Sequence, residues 1–137
     1  MLTINKIGNK KEEFCFLMRE KIICESINSL RSEGLRFSVD SLAEKLKISK
    51  KTIYKYFSNK EELAVAIYQR YYSDIFSGAK LLCTKRSKDS YKELLLLYYD
   101  AKVITRKEIF NKYILNDSLY SYTSEQNNNF LEIIFLH

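Results

Sequence analysis

The sequence predicts an all-α protein, and three observations carry that prediction. The 137 residues include no Pro and only three Gly, so little in the chain interrupts a helix. Apolar residues recur at three- and four-residue steps along most of the length, the period of a helix with one buried face. No two stretches alternate convincingly enough to pair as strands. Hydrophobic residues make up 46% of the chain, enough for a core, and the length fits one domain or one domain with a small appended module.

The elements follow in order. Residues 12–33 carry Phe14, Leu17, Met18, Ile22, Ile23, Ile27 and Leu30 at helical spacing, and Gly34 is well placed to end that helix. Ser38 is a good N-cap for VDSLAEKLK, where Val39, Leu42, Ala43 and Leu46 form an apolar stripe and Asp40 sits in the first turn. Only Lys47 and Ile48 then precede Ser49, a second cap, which opens KKTIYKYF. Asn59, with Glu62 three residues on, has capping-box spacing and starts a long amphipathic helix through Leu63, Ala66, Ile67, Tyr71 and Ile75 toward Leu82. Residues 90–105 read as another helix, and Ile109, Phe110, Tyr113 and Ile114 suggest one more. NDSLYSYTSEQNNN reads as a polar, turn-rich break. The closing FLEIIFLH is a poor solvent-exposed tail and is expected to bury against the body or a second subunit.

The net charge of +6 is unevenly placed. Residues 1–60 hold 13 Lys/Arg against 7 Asp/Glu, whereas residues 61–137 hold 10 of each. Residues 36–60 alone hold 7 bases against 2 acids. A localised basic patch is the footprint expected of a polyanion partner.

That patch coincides with two short helices joined by about three residues, the spacing of a helix-turn-helix. On a helical wheel Ile53 and Phe57 share one side and can pack against Leu42, Leu46 and Ile48. The other side is centred on Lys51, Thr52 and Lys55, with Tyr54 and Tyr56 on its flanks and no acid. Ammonium, hydroxyl and phenol groups suit phosphates and the guanine O6/N7 acceptors, and the Thr methyl suits thymine. Ser49 as the cap directs that helix's N-terminus toward the backbone.

The stretch FSVDSLAEKLKISKKTIYKYFSNKEEL resembles the helix-turn-helix of TetR-type transcriptional regulators, and REKIICESINSLRSEG is similar to the family's first helix. The resemblance spans residues 19–67. It implies a three-helix DNA-binding domain, residues 1–58, joined by a long fourth helix to a helical regulatory and dimerisation region, residues 59–137, that is short for the family. It also implies that Lys51 and Thr52 approach bases or nearby phosphates and that Tyr54, Tyr56 and Lys60 clamp phosphates. With Ser38, Ser49, Lys50 and Lys55 these make the candidate DNA-binding set. Two departures stand out. Lys51 stands where the family often has Gly, and Lys47 occupies a turn position where Gly would be cheaper.

The expected partner is a double-stranded DNA operator bound by a homodimer, because two half-sites supply the discrimination one recognition helix lacks. Ligand-responsive repression is the mode the resemblance implies, through a pivot of the long helix that changes the spacing of the two recognition helices. Tyr68, Tyr71, Tyr72, Phe76, Tyr98, Tyr99 and Tyr113 could line a pocket for a small apolar or aromatic effector, or could be plain core. The alternative is a truncated regulator that works mainly by pairing with another protein and binds DNA weakly. An enzyme is disfavoured: the single His is His137, and there is no metal-ligand cluster, Gly-rich phosphate loop or nucleophile–base constellation. No metal or cofactor is expected. Cys15, Cys24 and Cys83, odd in number and without metal spacing, read as buried free thiols of a cytoplasmic protein. The first thirteen residues lack the apolar run of a signal peptide, and no segment is apolar for long enough to span a membrane.

Overall fold

Most of the helices begin at a side-chain cap and end where a residue takes a left-handed or extended turn. A computed structural model describes residues 6–34 and 37–136, and the side chains of residues 6–9 and of Tyr113 lie outside the described part, as does His137. Helix α1 (Lys6–Glu33) starts nearly two turns earlier than the apolar periodicity predicts, then stops at Gly34, whose φ of +55 is the left-handed region that favours glycine. Ser38 caps α2 (Val39–Leu46), accepting from the Ser41 N–H at 3.0 Å. Ser49 caps α3 (Lys50–Tyr56), accepting from the Thr52 N–H at 3.0 Å. Asn59 caps α4 (Lys60–Lys85), accepting from the Glu62 N–H at 2.9 Å. The Glu62 carboxylate reaches back to the Ser58 N–H at 3.0 Å, one residue earlier than the reciprocal bond of a standard capping box.

Ser87 and Ser90 do form a reciprocal box, and it starts α5 (Lys88–Ile104) two residues ahead of the predicted boundary. A single α-turn, α6 (Lys107–Ile109), runs into a π-helical turn (Phe110–Ile114) that Leu115 closes at φ +49. The last element, α7 (Asp117–Leu136), corrects the sequence reading, which took residues 116–129 for a break. Asn116 caps it through the Leu119 N–H at 3.0 Å, and no Gly or Pro follows to stop it. Its buried stripe is Leu119, Thr123, Asn127, Phe130 and Ile134. Two of those positions are polar, which hides the helical period from a reading based on apolar spacing.

The core is continuous through α4. Its first half buries Leu63 and Ile67 in the cluster that holds Ile22 and Leu30 of α1, Leu42 of α2, Ile53 of α3 and Phe57. Its second half presents Tyr68, Tyr71 and Tyr72 to α5, α7 and the π-turn, with Tyr68 stacked on Phe110 at 5.2 Å and Tyr72 edge-on to Tyr122 at 6.0 Å. Each phenol finds an acceptor: Tyr68 donates to the Ile104 carbonyl at 2.7 Å, Tyr71 to Asp100 Oδ2 at 2.6 Å, and Tyr72 to Asn127 Oδ1 at 2.6 Å. Asn127 in turn donates to Thr105 Oγ1 at 3.0 Å, so buried polar bonds tie α4 to both α5 and α7. Arg31 of α1 joins them with a two-pronged contact to Asp100, at 2.6 and 2.8 Å.

Two expectations change. Cys15 and Cys24 are exposed and Cys83 is half-buried, because α1 turns Cys15 and Cys24 away from the core side occupied by Ile22 and Ser26. At the chain's end Phe130 and Ile134 are buried as expected, but Phe135 and Leu136 stand 79% and 86% exposed. Among the described residues no helix is long and apolar enough to cross a membrane.

These polar bonds make two predictions. Tyr72→Phe strands the Asn127 amide oxygen in the core, and should lower stability by roughly 1–3 kcal/mol in urea titrations; a change below about 0.3 kcal/mol would mean water replaces the phenol. Burial pushes the Asp100 carboxyl up, but hydrogen bonds from Arg31 and Tyr71 outweigh that and hold it below the usual aspartate value. A depressed carboxyl stabilises the fold above its unfolded pKa, about 3.9, and that contribution disappears as pH falls through the folded value. Asp100→Asn should therefore cost stability at pH 7, with the gap from wild type closing below about pH 4. A gap that is constant with pH would show that the charge on Asp100 is not what matters.

Candidate nucleic-acid interface

The recognition-like segment is short, seven residues, and a helix of that length is not stable on its own in water. Packing supplies what propensity does not. Ile53 and Phe57 are both buried, with Leu46 and Ile48 half-buried beside them, so the apolar side of α3 is fixed against α1 and α2. Arg19 of α1 adds a second hold: its guanidinium donates to the Tyr56 carbonyl at 2.7 Å and lies over the Phe57 ring at 4.4 Å. Arg19 is missed by sequence reasoning, and only the register of α1 against α3 reveals it.

The turn between α2 and α3 is built as a left-handed corner. Lys47 has φ 57 and ψ 41, and its N–H closes back on α2 at Ala43 and Glu44. The sequence expectation that Lys47 must adopt a glycine-like conformation is met without glycine. Below it, Glu33 takes the Lys45 ammonium at 2.5 Å and the Ser41 hydroxyl at 3.2 Å, which pins α2 to the end of α1.

With the apolar side fixed, Ser49, Lys51, Thr52, Tyr54 and Lys55 are brought together around an open depression of about 440 Å³. Lys51 and Lys55 are exposed, Thr52 and Tyr54 half-buried. Among the described residues no carboxylate pairs with Lys51 or Lys55. The remaining candidates stand apart. Ser38 and Ser49 have their hydroxyl oxygens engaged as caps, and Ser49 shares a further 2.8 Å contact with the Thr52 hydroxyl. Lys50 pairs with Asp40 of α2 at 3.1 Å, an exposed pair across the turn. Tyr56 faces α1 instead of lining the depression. Lys60 opens α4 half-buried, and burial pulls its ammonium below the usual lysine value.

The seven aromatic candidates for an effector pocket take different environments among the described residues. Tyr68, Tyr71 and Tyr72 are core side chains with their hydroxyls engaged inside the protein, and Phe76 packs edge-on to Phe130 at 5.6 Å. Tyr98 is half-buried, Tyr99 is 71% exposed on α5, and the Tyr113 side chain lies outside the described residues. Tyr68, Tyr71 and Tyr72 thus serve the core in this structure, as the plain-core alternative expects. The reason is that long aromatic side chains at three- and four-residue spacing fill the space between α4 and its neighbours.

A braced seven-residue helix with an acid-free outer face, preceded by a tight turn, has the arrangement of a helix-turn-helix. Residues 23–67 match the model of the bacterial regulatory proteins of the tetR family, so the similarity covers this N-terminal segment. A curated relative, an uncharacterised HTH-type transcriptional regulator YvaF of Bacillus subtilis (strain 168), is 29% identical over 58 residues. That stretch is 42% of this chain and 30% of the relative, so the match spans less than a third of the relative's length. No solved structure matches the chain.

Lys47→Gly should raise stability by roughly 0.5–1 kcal/mol, since a side chain is strained at this positive φ. Thermal and urea unfolding would test it. A drop in stability would show that the lysine stem's packing outweighs the strain.

Proposed function

We propose that this chain is a sequence-specific, operator-binding regulator that acts as a dimer and represses transcription in response to a ligand. The observation that carries the reading is the outer face of α3, where Lys51, Thr52, Tyr54 and Lys55 are held outward by a buried Ile53 and Phe57 and meet no acid. In this reading Lys51 and Thr52 approach base edges or adjacent phosphates, while Tyr54, Tyr56 and Lys60 contact phosphates. Ser38, Ser49 and Lys50 set the positions of α2 and α3 through their caps and ion pair. Residues 1–58 serve as the reading domain and residues 59–137 as the part that dimerises and responds. Repression and ligand response follow from the family's usual mode. Dimerisation has a physical support of its own, because Leu96, Tyr99 and Phe135 are exposed on α5 and α7, the kind of surface a subunit interface covers.

The same exposed residues favour a second reading, in which the chain pairs with a different protein and binds DNA weakly by itself. Sedimentation of the purified chain at micromolar concentration separates the two, a homodimer supporting the first and a monomer the second.

Fluorescence anisotropy against DNA flanking the chain's own gene, with a scrambled duplex and a salt series, tests the function directly. Selective binding to the first duplex is expected. Lys51→Ala should reduce the preference between duplexes, and Lys60→Ala should weaken binding to both alike and lower the salt slope by about one. Equal, weak binding of the wild type to both duplexes would overturn sequence-specific recognition by this chain alone.

A further inference from the structure

The family match begins at residue 23, yet α1 continues toward the N-terminus as far as Lys6. Arg19 pins α1 to the end of α3, at the Tyr56 carbonyl and the Phe57 ring. At about 1.5 Å per residue, Lys10 and Lys11 lie roughly 12–14 Å further along the helix axis than that pin. This part of α1 therefore extends well beyond that pin.

Its charges are segregated. The sequence KKEE would scatter around a solvated helix, but here the two lysines and the two acids look in different directions. Lys10, Lys11, Phe14 and Cys15 line a cleft of about 580 Å³ whose other wall is Lys55 and Tyr56 of α3. Glu12 and Glu13 lie with Phe16 and Leu17 along a different depression. Lys55 is thus shared: it borders both this cleft and the depression that holds Lys51 and Thr52. Among the described residues no carboxylate lines either space, and none pairs with Lys10 or Lys11. Three ammonium groups and a phenol that can donate surround one open cleft, which shares Lys55 with the α3 face, and such donors suit a phosphodiester.

We propose that the N-terminal turns of α1 form a second wall of the DNA interface, in which Lys10 and Lys11, facing Lys55 and Tyr56, hold backbone phosphates beside the groove that α3 enters. The proposal rests on the DNA-binding reading above and extends it to residues outside the family match. Its function is to add phosphate contacts, which raise affinity for all duplexes and fix the register of α3 without carrying sequence information.

Cys15 supplies a direct reporter, because it is exposed within the cleft, while Cys24 is exposed further along α1 and does not line it. Alkylation of the full chain by N-ethylmaleimide, read by mass spectrometry, should slow several-fold at Cys15 when the own-gene duplex is saturating and stay unchanged at Cys24. In anisotropy, the Lys10→Gln/Lys11→Gln double variant should lower the salt slope by about one to two, roughly 0.9 for each phosphate no longer neutralised, and leave the preference between duplexes intact. A control, Lys80→Gln/Lys85→Gln on exposed α4 positions, removes the same charge far from the cleft and should leave the slope unchanged. Wild-type binding with an unaltered slope in the Lys10/Lys11 variant and unprotected Cys15 would overturn this inference alone. An absence of wild-type binding to any duplex would overturn the DNA-binding reading, and this inference with it.

Discussion

Three phenols on one helix impose the constraint that organises this molecule. Tyr68, Tyr71 and Tyr72 bring large apolar rings into the core, but a buried hydroxyl without a partner costs on the order of 1–3 kcal/mol. The acceptors must come from other elements, since the carbonyls of α4 serve its own ladder. They come from the end of α5, at Asp100 and the Ile104 carbonyl, and from Asn127 of α7. A one-turn slip of α4 against α5 and α7 would keep rings opposite apolar surface but break every one of these bonds. Hydrophobic burial alone therefore allows several registers here, and the phenols select one. Burial drives all three phenols above the ordinary tyrosine value, which favours the protonated, donating form.

That register reaches the α3 face through short, stiff links. Arg31 joins α1 to Asp100, and Arg70 of α4 bonds both Glu20 of α1 and Asp74 on its own helix. At the N-terminal end of α4, Asn116 donates to Glu61 at 2.5 Å while its oxygen caps α7. The first turn of α4 is thereby tied to the first turn of α7, immediately beside Lys60. A shift of α7 would have to move the start of α4, and with it Phe57 and α3, or break that tie. Such a linkage is the physical requirement for any response in the C-terminal part to alter how α3 is presented.

Legibility in the sequence followed the range of the interactions. The caps at Ser38, Ser49 and Asn59, the stop at Gly34 and the buried pair Ile53 and Phe57 depend on residues within one turn, and local spacing exposes them. The left-handed Lys47 was legible as a conflict between residue and position. What depends on distant partners was not legible. Asn127 reads as part of a polar break because its reason for being in a core is Tyr72, more than fifty residues away in sequence. The aromatic series left pocket and core both open because composition cannot tell rings that line a space from rings that fill it. Within the candidate interface the side of α3 facing outward was readable from its wheel, but Arg19, Lys10 and Lys11 depend on how α1 crosses α3, a tertiary fact.

The basicity of that interface arises less from an excess of lysines than from where the acids go. Asp40 is held by Lys50, Glu33 by Lys45 and Ser41, and Glu20 by Arg70, while Glu62 binds the Ser58 N–H. Each of these carboxylates is engaged by a partner other than Lys51 or Lys55. Removing lysines from the face would lower the potential there without loosening the fold, whereas removing one of these acids would do the reverse. It would loosen a helix that positions the face and, at three of the four, leave a cation without its partner. The two changes move the net charge in opposite directions, but net charge does not show that only one of them acts through the fold. For a partner that is itself a line of phosphates, the uncompensated lysines matter through their position along that line, and it is the internal pairing of the acids that leaves those positions open.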